Sequence, residues 1–294
     1  MSKNIVIVGA GVGGQVAARG IKDMVKDAYD VFLIGPEDNH RTGLFYFNKK
    51  IPGICEREIP VVYDMISSGS FEDYQKKSRG YSDPSMGQSF FGKIGGRSKG
   101  YLLNSDKIDM KGINRVFGTV ESINPLDKKV NFDDCLSLDY DYLIVTVPLM
   151  VFMRLLTPST IIGGRDFSQE FKFSPVYTKI RGMEVPESMI DCIRVFYDMS
   201  PADESKFYRH SSYYSQGFIV KMISESIIDF EGKDQVAPLG KIKPSKVLTN
   251  FVSEIESNFM DIKICGRYAR WEYHYTVDQT YEDVINFLST PLKK

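Results

Sequence analysis

Cysteine and histidine are scarce in this chain, with four and three copies in 294 residues. Cys55, Cys135, Cys192 and Cys265 lie far apart, and with His40, His210 and His274 they form no metal-ligand spacing, so a structural zinc site is not expected. Long apolar runs are missing too. The most apolar stretch, Tyr142 to Met153, is too short to span a bilayer and contains Pro148, so no membrane partner is expected. Met1-Ser2-Lys3-Asn4 leads directly into a strand and leaves no room for a signal peptide, which with the scattered cysteines predicts a cytoplasmic protein, in the host cytoplasm if it is viral. An excess of one charge is also absent. The net charge of −1 and a pI near 6.3 argue against an overall electrostatic nucleic-acid binder, while leaving room for a local basic patch. No internal repeat or low-complexity tract occurs. What the chain does have is 43% apolar residues, enough for one large core or two modest ones.

The richest stretch is the first fourteen residues, where the apolar strand Ile5-Val6-Ile7-Val8 runs into Gly9-Ala10-Gly11-Val12-Gly13-Gly14. Gly-x-Gly-x-x-Gly after a buried strand and before a helix is a dinucleotide fingerprint. Gly9 suits the tight turn, Gly11 the approach of a phosphate to the backbone, and Gly14 the close packing of the helix predicted over Val12–Lys22. That helix presents free N–H groups and its positive dipole end to the phosphates. The second predicted strand, Asp30–Ile34, is expected to end in an acid that binds a ribose hydroxyl. Gly35-Pro36 occupies that slot, which makes Glu37 the candidate, with Asp38 second.

Further along, residues 70–111 scatter Lys76, Lys77, Arg79, Lys93, Arg97, Lys99, Lys107 and Lys111 among Tyr74, Tyr81, Phe90, Phe91 and Tyr101. Basic and aromatic side chains so interleaved can contact phosphates and stack bases. The competing reading is a solvated insertion, because Glu72, Asp73, Asp83, Asp106 and Asp109 dilute the charge. Short strands follow around a turn at Asn124-Pro125-Leu126-Asp127, and Tyr142–Val147 reads as a buried parallel strand returning to the first sheet. Asp191–Met199 and Phe218–Ser226 are predicted strands of a second, mixed sheet. A Pro/Lys-rich stretch, Pro238 to Pro244, precedes a predicted helix Lys246–Asn258, a strand Asp261–Cys265 and a helix Thr276–Leu288.

Four stretches in this order resemble the FAD-dependent amine oxidase superfamily in its broad sense, which includes protoporphyrinogen-oxidase-like proteins and UDP-galactopyranose mutase. They are the glycine turn with Ala18; Gly118–Ile123 with Tyr140–Pro148; Phe207-Tyr208-Arg209-His210-Ser211; and Gly266-Arg267-Tyr268-Ala269-Arg270-Trp271-Glu272-Tyr273 with Asp278 and Gln279. Together they cover nearly the whole chain. The resemblance implies an α/β fold, a Rossmann-like FAD-binding domain (1–68, 113–150 and 246–294) with a basic and aromatic insertion (69–112) and a smaller mixed-sheet substrate domain (151–245). It implies FAD as cofactor, held by Gly9, Gly11, Val12, Gly13, Gly14, Glu37, Arg41, Val120, Thr146, Gly266, Arg267, Trp271, Asp278 and Gln279. Gly35 departs from the ribose-binding acid of most relatives, and the chain is markedly shorter than the enzymes just named. The loop Thr42–Phe47 and the small size are more similar to short bacteriophage FAD proteins, some of which oxidise amino-acid adducts on thymine.

The implied chemistry is hydride transfer from the carbon beside an amine nitrogen to the flavin. Candidates for the catalytic side are Tyr46, Arg209, His210, Tyr273 and His274, with Tyr208, Trp271 and Tyr275 as further cavity walls. On an extended backbone Trp271, Tyr273 and Tyr275 share one face. Arg209 can clamp a carboxylate or phosphate, and His210 can exchange a proton near neutral pH. The substrate is then a small-molecule amine or a modified DNA base, with DNA contact through 70–111. Two other readings stay open, a mutase using reduced flavin on a nucleotide sugar and a non-catalytic nucleotide-binding module.

Overall fold

A computed structural model describes residues 3–26, 28–35, 46–55, 57–66, 69–79, 94–102, 108–183 and 185–289. The chain divides into two units, one formed by residues 1–41, 108–172 and 242–294 and the other by 42–107 and 173–241. The sequence pattern places residues 42–68 with the cofactor domain and 151–172 with the substrate domain, and the folded chain assigns both the other way. Strand Arg57–Ile66 pairs with Cys192–Asp198 in the second unit's sheet, whereas Phe152, Met153, Leu156 and Phe167 are buried in a core of the first.

The first unit is built on a five-stranded sheet in the order Ile262–Ile264, Tyr142–Val145, Lys3–Val8, Tyr29–Ile34, Asn114–Val116, with every pairing parallel. Its central strand has to be apolar on both faces. Ile5 and Ile7 face one core with Val31, Leu33 and Ile21, and Val6 and Val8 face another with Leu143, Phe152 and Phe251. Each of these four side chains is at most 2% exposed and contributes about 1.5–3 kcal/mol. Helix Val12–Val25 buries Val16, Ala17, Ala18 and Ile21. Helix Lys246–Asn258 is capped by Ser245, whose hydroxyl accepts from Leu248 N at 3.3 Å, and buries Leu248, Phe251, Val252 and Ile255 at helical spacing. The strand order reverses on either side of Lys3–Val8, so the carboxyl end of that strand is the topological switch point where open α/β sheets bind ligands.

A three-stranded antiparallel sheet, Val120–Asn124, Lys129–Phe132 and Ser137–Asp139, completes this unit. Its predicted turn forms, with Asn124 Oδ1 accepting from Leu126 N and Asp127 N. The second unit is an eight-stranded mixed sheet ordered Gln235–Ile242, Phe173–Gly182, Phe218–Ser226, Arg209–Ser215, Cys192–Asp198, Arg57–Ile66, Arg97–Leu102, Tyr46–Phe47. The Pro/Lys-rich stretch largely becomes strand Gln235–Ile242, and Pro238 is tolerated there because this is an edge strand. The expected irregular insertion supplies a helix, Phe71–Arg79, and the strand Arg97–Leu102.

Candidate nucleotide-binding site

The glycine turn sits at the switch point. Gly9 N donates to Ile34 O at 2.9 Å, and the Thr146 hydroxyl reaches across from the neighbouring strand to Gly9 O (2.8 Å) and Val8 O (3.2 Å). Gly9 has φ +113°, and a Cβ there would lie 2.9 Å from Val147 N. A Cβ on Gly14 would overlap the Gly9 carbonyl, and one on Gly35 would sit 2.6 Å from Ala10 Cβ. That last contact explains why the expected acidic slot holds glycine, since the end of the second strand presses on the turn.

Gly11 is different. Its φ of −64° suits any residue, and a Cβ added there meets nothing within 4 Å. The fold therefore has no need of glycine at this position. Gly11 is also the N-cap of helix Val12–Val25, which has no side-chain cap and no acid in its first turn. The N–H groups of the first turn, at Val12, Gly13 and Gly14, are thus left for a partner.

A second helix start converges on the same place. Helix Val277–Ser289 packs on Val12–Val25, with Tyr281 against Gly20 and Thr280 Oγ1 4.0 Å from where a Cβ on Gly13 would stand. Thr280 is fully buried, and its hydroxyl has no hydrogen-bond partner among the described residues. Gln279 turns back on its own helix start, its Oε1 accepting from Thr276 N (2.7 Å) and Thr276 Oγ1 (3.0 Å). Asp278 beside it is buried. Gly266, at φ +99°, opens the helical turn Arg267–Arg270, and a methyl placed on it would meet nothing within 4 Å. The residues present thus suit a pyrophosphate-bearing cofactor: open backbone donors, two glycines facing free space and an orphaned hydroxyl.

Other sequence candidates fall elsewhere. Glu37 and Arg41 lie outside the described residues. Val120 starts a strand of the small sheet and packs half-buried on the core. Arg267 donates from Nε to Tyr275 O at 3.3 Å and stacks on Tyr273. The extended stripe Trp271, Tyr273, Tyr275 does not exist, because Trp271 (φ +58°) closes a helical turn. Its indole is fully buried against Phe171 and donates to Lys243 O at 2.9 Å, so it is a core side chain. Tyr275 donates to Asp283 Oδ2 at 2.6 Å, and burial raises its phenol far above the usual range. Tyr273 is half-buried and His274 is exposed, their rings in contact.

In the second unit Tyr46 Oη lies 3.4 Å from Tyr63 Oη, and burial with that neighbour raises its pKa well above 10. Tyr208 is buried beneath Lys241. Arg209 forms an ion pair with Glu225 on the adjacent strand. His210 faces the opposite side of the sheet, where its Nδ1 lies 2.7 Å from Ser224 Oγ and its Nε2 3.8 Å from Asp198. Asp198 also accepts from Ser205 Oγ at 2.7 Å, Ser200 N at 2.9 Å and Lys77 Nζ at 3.2 Å. Lys77 is therefore no part of a DNA-facing basic patch; its side chain is fully buried, and Lys76 pairs with Glu72. Sequence pattern alone does not single out Asp198, Glu225 or Thr280. The one signal for Asp198 is a lone carboxylate at the end of a strand whose other residues, Arg194 apart, are apolar or aromatic.

Burial holds the His210 imidazole below its usual pKa against the pull of Asp198, with Lys77 and Arg181 adding to the depression. The unfolded chain then takes up a proton that the folded chain resists, so stability falls as pH drops through about 6.5, the unfolded histidine value. Thermal melts from neutral to mildly acidic pH are expected to show this loss, and the slope should be shallower in His210→Gln.

No protein-family model and no curated protein matches the chain. Solved structures do. A reduced UDP-galactopyranose mutase aligns over 98% of this chain and 93% of its own, at 12% identity and a TM-score of 0.63. A Pyrococcus furiosus protein aligns over 97% and 96%, at 12% identity and 0.51. A flavin-dependent halogenase from Xanthomonas campestris covers 98% of this chain and 71% of its own, at 11% and 0.51. The likeness is one of fold, and it establishes the α/β architecture with a Rossmann-like sheet and a second mixed sheet.

Proposed function

We propose that this chain is an FAD-dependent oxidoreductase that oxidises a C–N bond of an amine or amino-acid adduct, including glycyl-modified thymidine in DNA. The observation that carries the cofactor reading is Gly11, a glycine that the protein's own sterics do not require, at the uncapped start of a helix at the switch point. The fold shared with flavin-dependent enzymes supports it. In this reading the N–H groups of Val12, Gly13 and Gly14 hold the pyrophosphate, Thr146 fixes the turn that aims them, and the start of helix Val277–Ser289 places the Thr280 hydroxyl and further backbone donors beside them. Bound flavin supplies the hydride acceptor. The protein orients the substrate carbon and excludes water.

The test is the visible absorption spectrum of the purified protein before and after anaerobic addition of duplex DNA carrying 5-(glycylaminomethyl)uracil. Flavin bands that bleach with this DNA are the expected result. Bands that persist with the DNA and with free amines, in a protein that when reduced by dithionite isomerises a nucleotide sugar, replace the oxidase by a mutase. A colourless protein that takes up no added FAD overturns the reading.

A further inference from the structure

One row of side chains on the mixed sheet combines opposite charges with an aromatic wall. Met65, Tyr197, Arg209, Glu225 and Thr178 stand directly opposite one another on five adjacent strands, so their side chains project from the same face. The next row, Tyr63, Val195, Ser211, Ile223 and Ile180, is mostly apolar. Tyr63 stacks on Tyr197, ring centroids 6.4 Å apart and planes within 8°. Arg209 meets Glu225 through its Nε, and both Nε and the Oε2 it faces are sealed from solvent. The Arg209 side chain as a whole is nevertheless 38% exposed, and that of Glu225 18%.

We propose that Arg209 and Glu225, walled by Tyr63 and Tyr197, form a site for a zwitterion, an amino-acid unit whose carboxylate takes the Arg209 fork and whose ammonium takes Glu225. The built-in pair has no net charge. A purely anionic ligand on Arg209 is repelled by Glu225, and a purely cationic one on Glu225 is repelled by Arg209, whereas a ligand carrying both charges one carbon apart satisfies each. The tyrosine wall offers apolar surface to whatever the amine nitrogen carries. The site rests on the proposed amine chemistry for its role, and it narrows the substrate class from amines in general to N-substituted amino acids.

The test is calorimetric titration of the purified protein with N-benzylglycine, benzylamine and 3-phenylpropionate, which needs no turnover. The zwitterion is expected to bind at least roughly tenfold more tightly than either singly charged probe. Arg209→Gln should remove that preference. Glu225→Gln should weaken N-benzylglycine yet strengthen 3-phenylpropionate, an inversion that mere loss of packing does not produce; circular dichroism and melting temperature establish that each variant is folded. Equal affinity for all three probes, no binding of any, or a uniform loss in folded Glu225→Gln overturns the proposal. Loss of the preference in a protein whose flavin is bleached by amines removes this site and leaves the oxidase reading, whereas zwitterion binding by a protein that takes up no FAD does the reverse.

Discussion

Asp198→Ala is expected to cost roughly 3–5 kcal/mol of stability, the range for breaking a buried ion pair by removing one partner. Lys77 has no exposed side-chain surface, and burial already lowers its pKa. Its partner does more than balance the charge. Burial opposes ionisation of Asp198, but hydrogen bonds from Ser200 and Ser205, together with Lys77, outweigh it and hold the carboxyl below its usual range. Deleting the carboxylate strands an ammonium and several donors away from water, each uncompensated. Helix Phe71–Arg79, whose attachment includes Lys77 and Tyr74 packed on Tyr197 and Tyr208, should then detach before the rest of the mixed sheet unfolds. The measurement is a denaturant melt followed by native-state hydrogen exchange. Lys77→Met in the Asp198→Ala background should recover a large part of the loss, because it removes the stranded charge and keeps an apolar stem. A double variant no more stable than Asp198→Ala would show that the cost lies in the carboxylate's other bonds.

The same cluster marks the limit of what the chain's order of residues can tell. Apolar runs locate the parallel strands Lys3–Val8, Tyr29–Ile34 and Tyr142–Val145, because a strand buried on both faces must be largely apolar, whereas Asn114–Val116 carries no such run and is missed; Lys246–Asn258 is legible from its 3.6-residue stripe. The glycine turn is legible from its spacing after an apolar strand, and Gly9 and Gly14 each have a steric reason in the fold. Lys77 and Asp198 are not, since they are 121 residues apart in sequence and their pairing is created by the strand order of the mixed sheet. A lysine among lysines reads as a solvated charge until its partner is known. Trp271 misleads for a related reason. Alternating aromatics suggest an extended strand, but the left-handed residue that closes a helical turn places the indole in the core. Glu225 is invisible because cross-strand opposition to Arg209 depends on register, and register is set by tertiary pairing.

Two glycines about 5 Å of helical rise apart in the same turn should respond in opposite ways to an added side chain. Gly14→Ala is expected to abolish the folded first unit, because its single methyl overlaps the Gly9 carbonyl and lies 2.9 Å from the Gly9 carbonyl carbon, where no rotamer change can relieve it. The strand and helix would have to separate, and both are anchored by cores on either face of the sheet. Gly11→Val should fold normally, at a cost of about 1 kcal/mol or less from losing a favourable N-cap residue. Its branched side chain enters the space that the fold leaves open, in front of the N–H groups of Val12, Gly13 and Gly14. Flavin affinity should fall by at least roughly tenfold, about 1.4 kcal/mol. Circular dichroism and melting temperature read the first effect, and the ratio of flavin to protein absorbance reads the second. A folded Gly11→Val protein that keeps stoichiometric flavin would place the cofactor elsewhere, and an unfolded one would mean that Gly11 serves the turn and not a ligand. The pair of variants thus separates a glycine that packs the fold from a glycine that admits a phosphate, a distinction that the motif's spacing alone does not make.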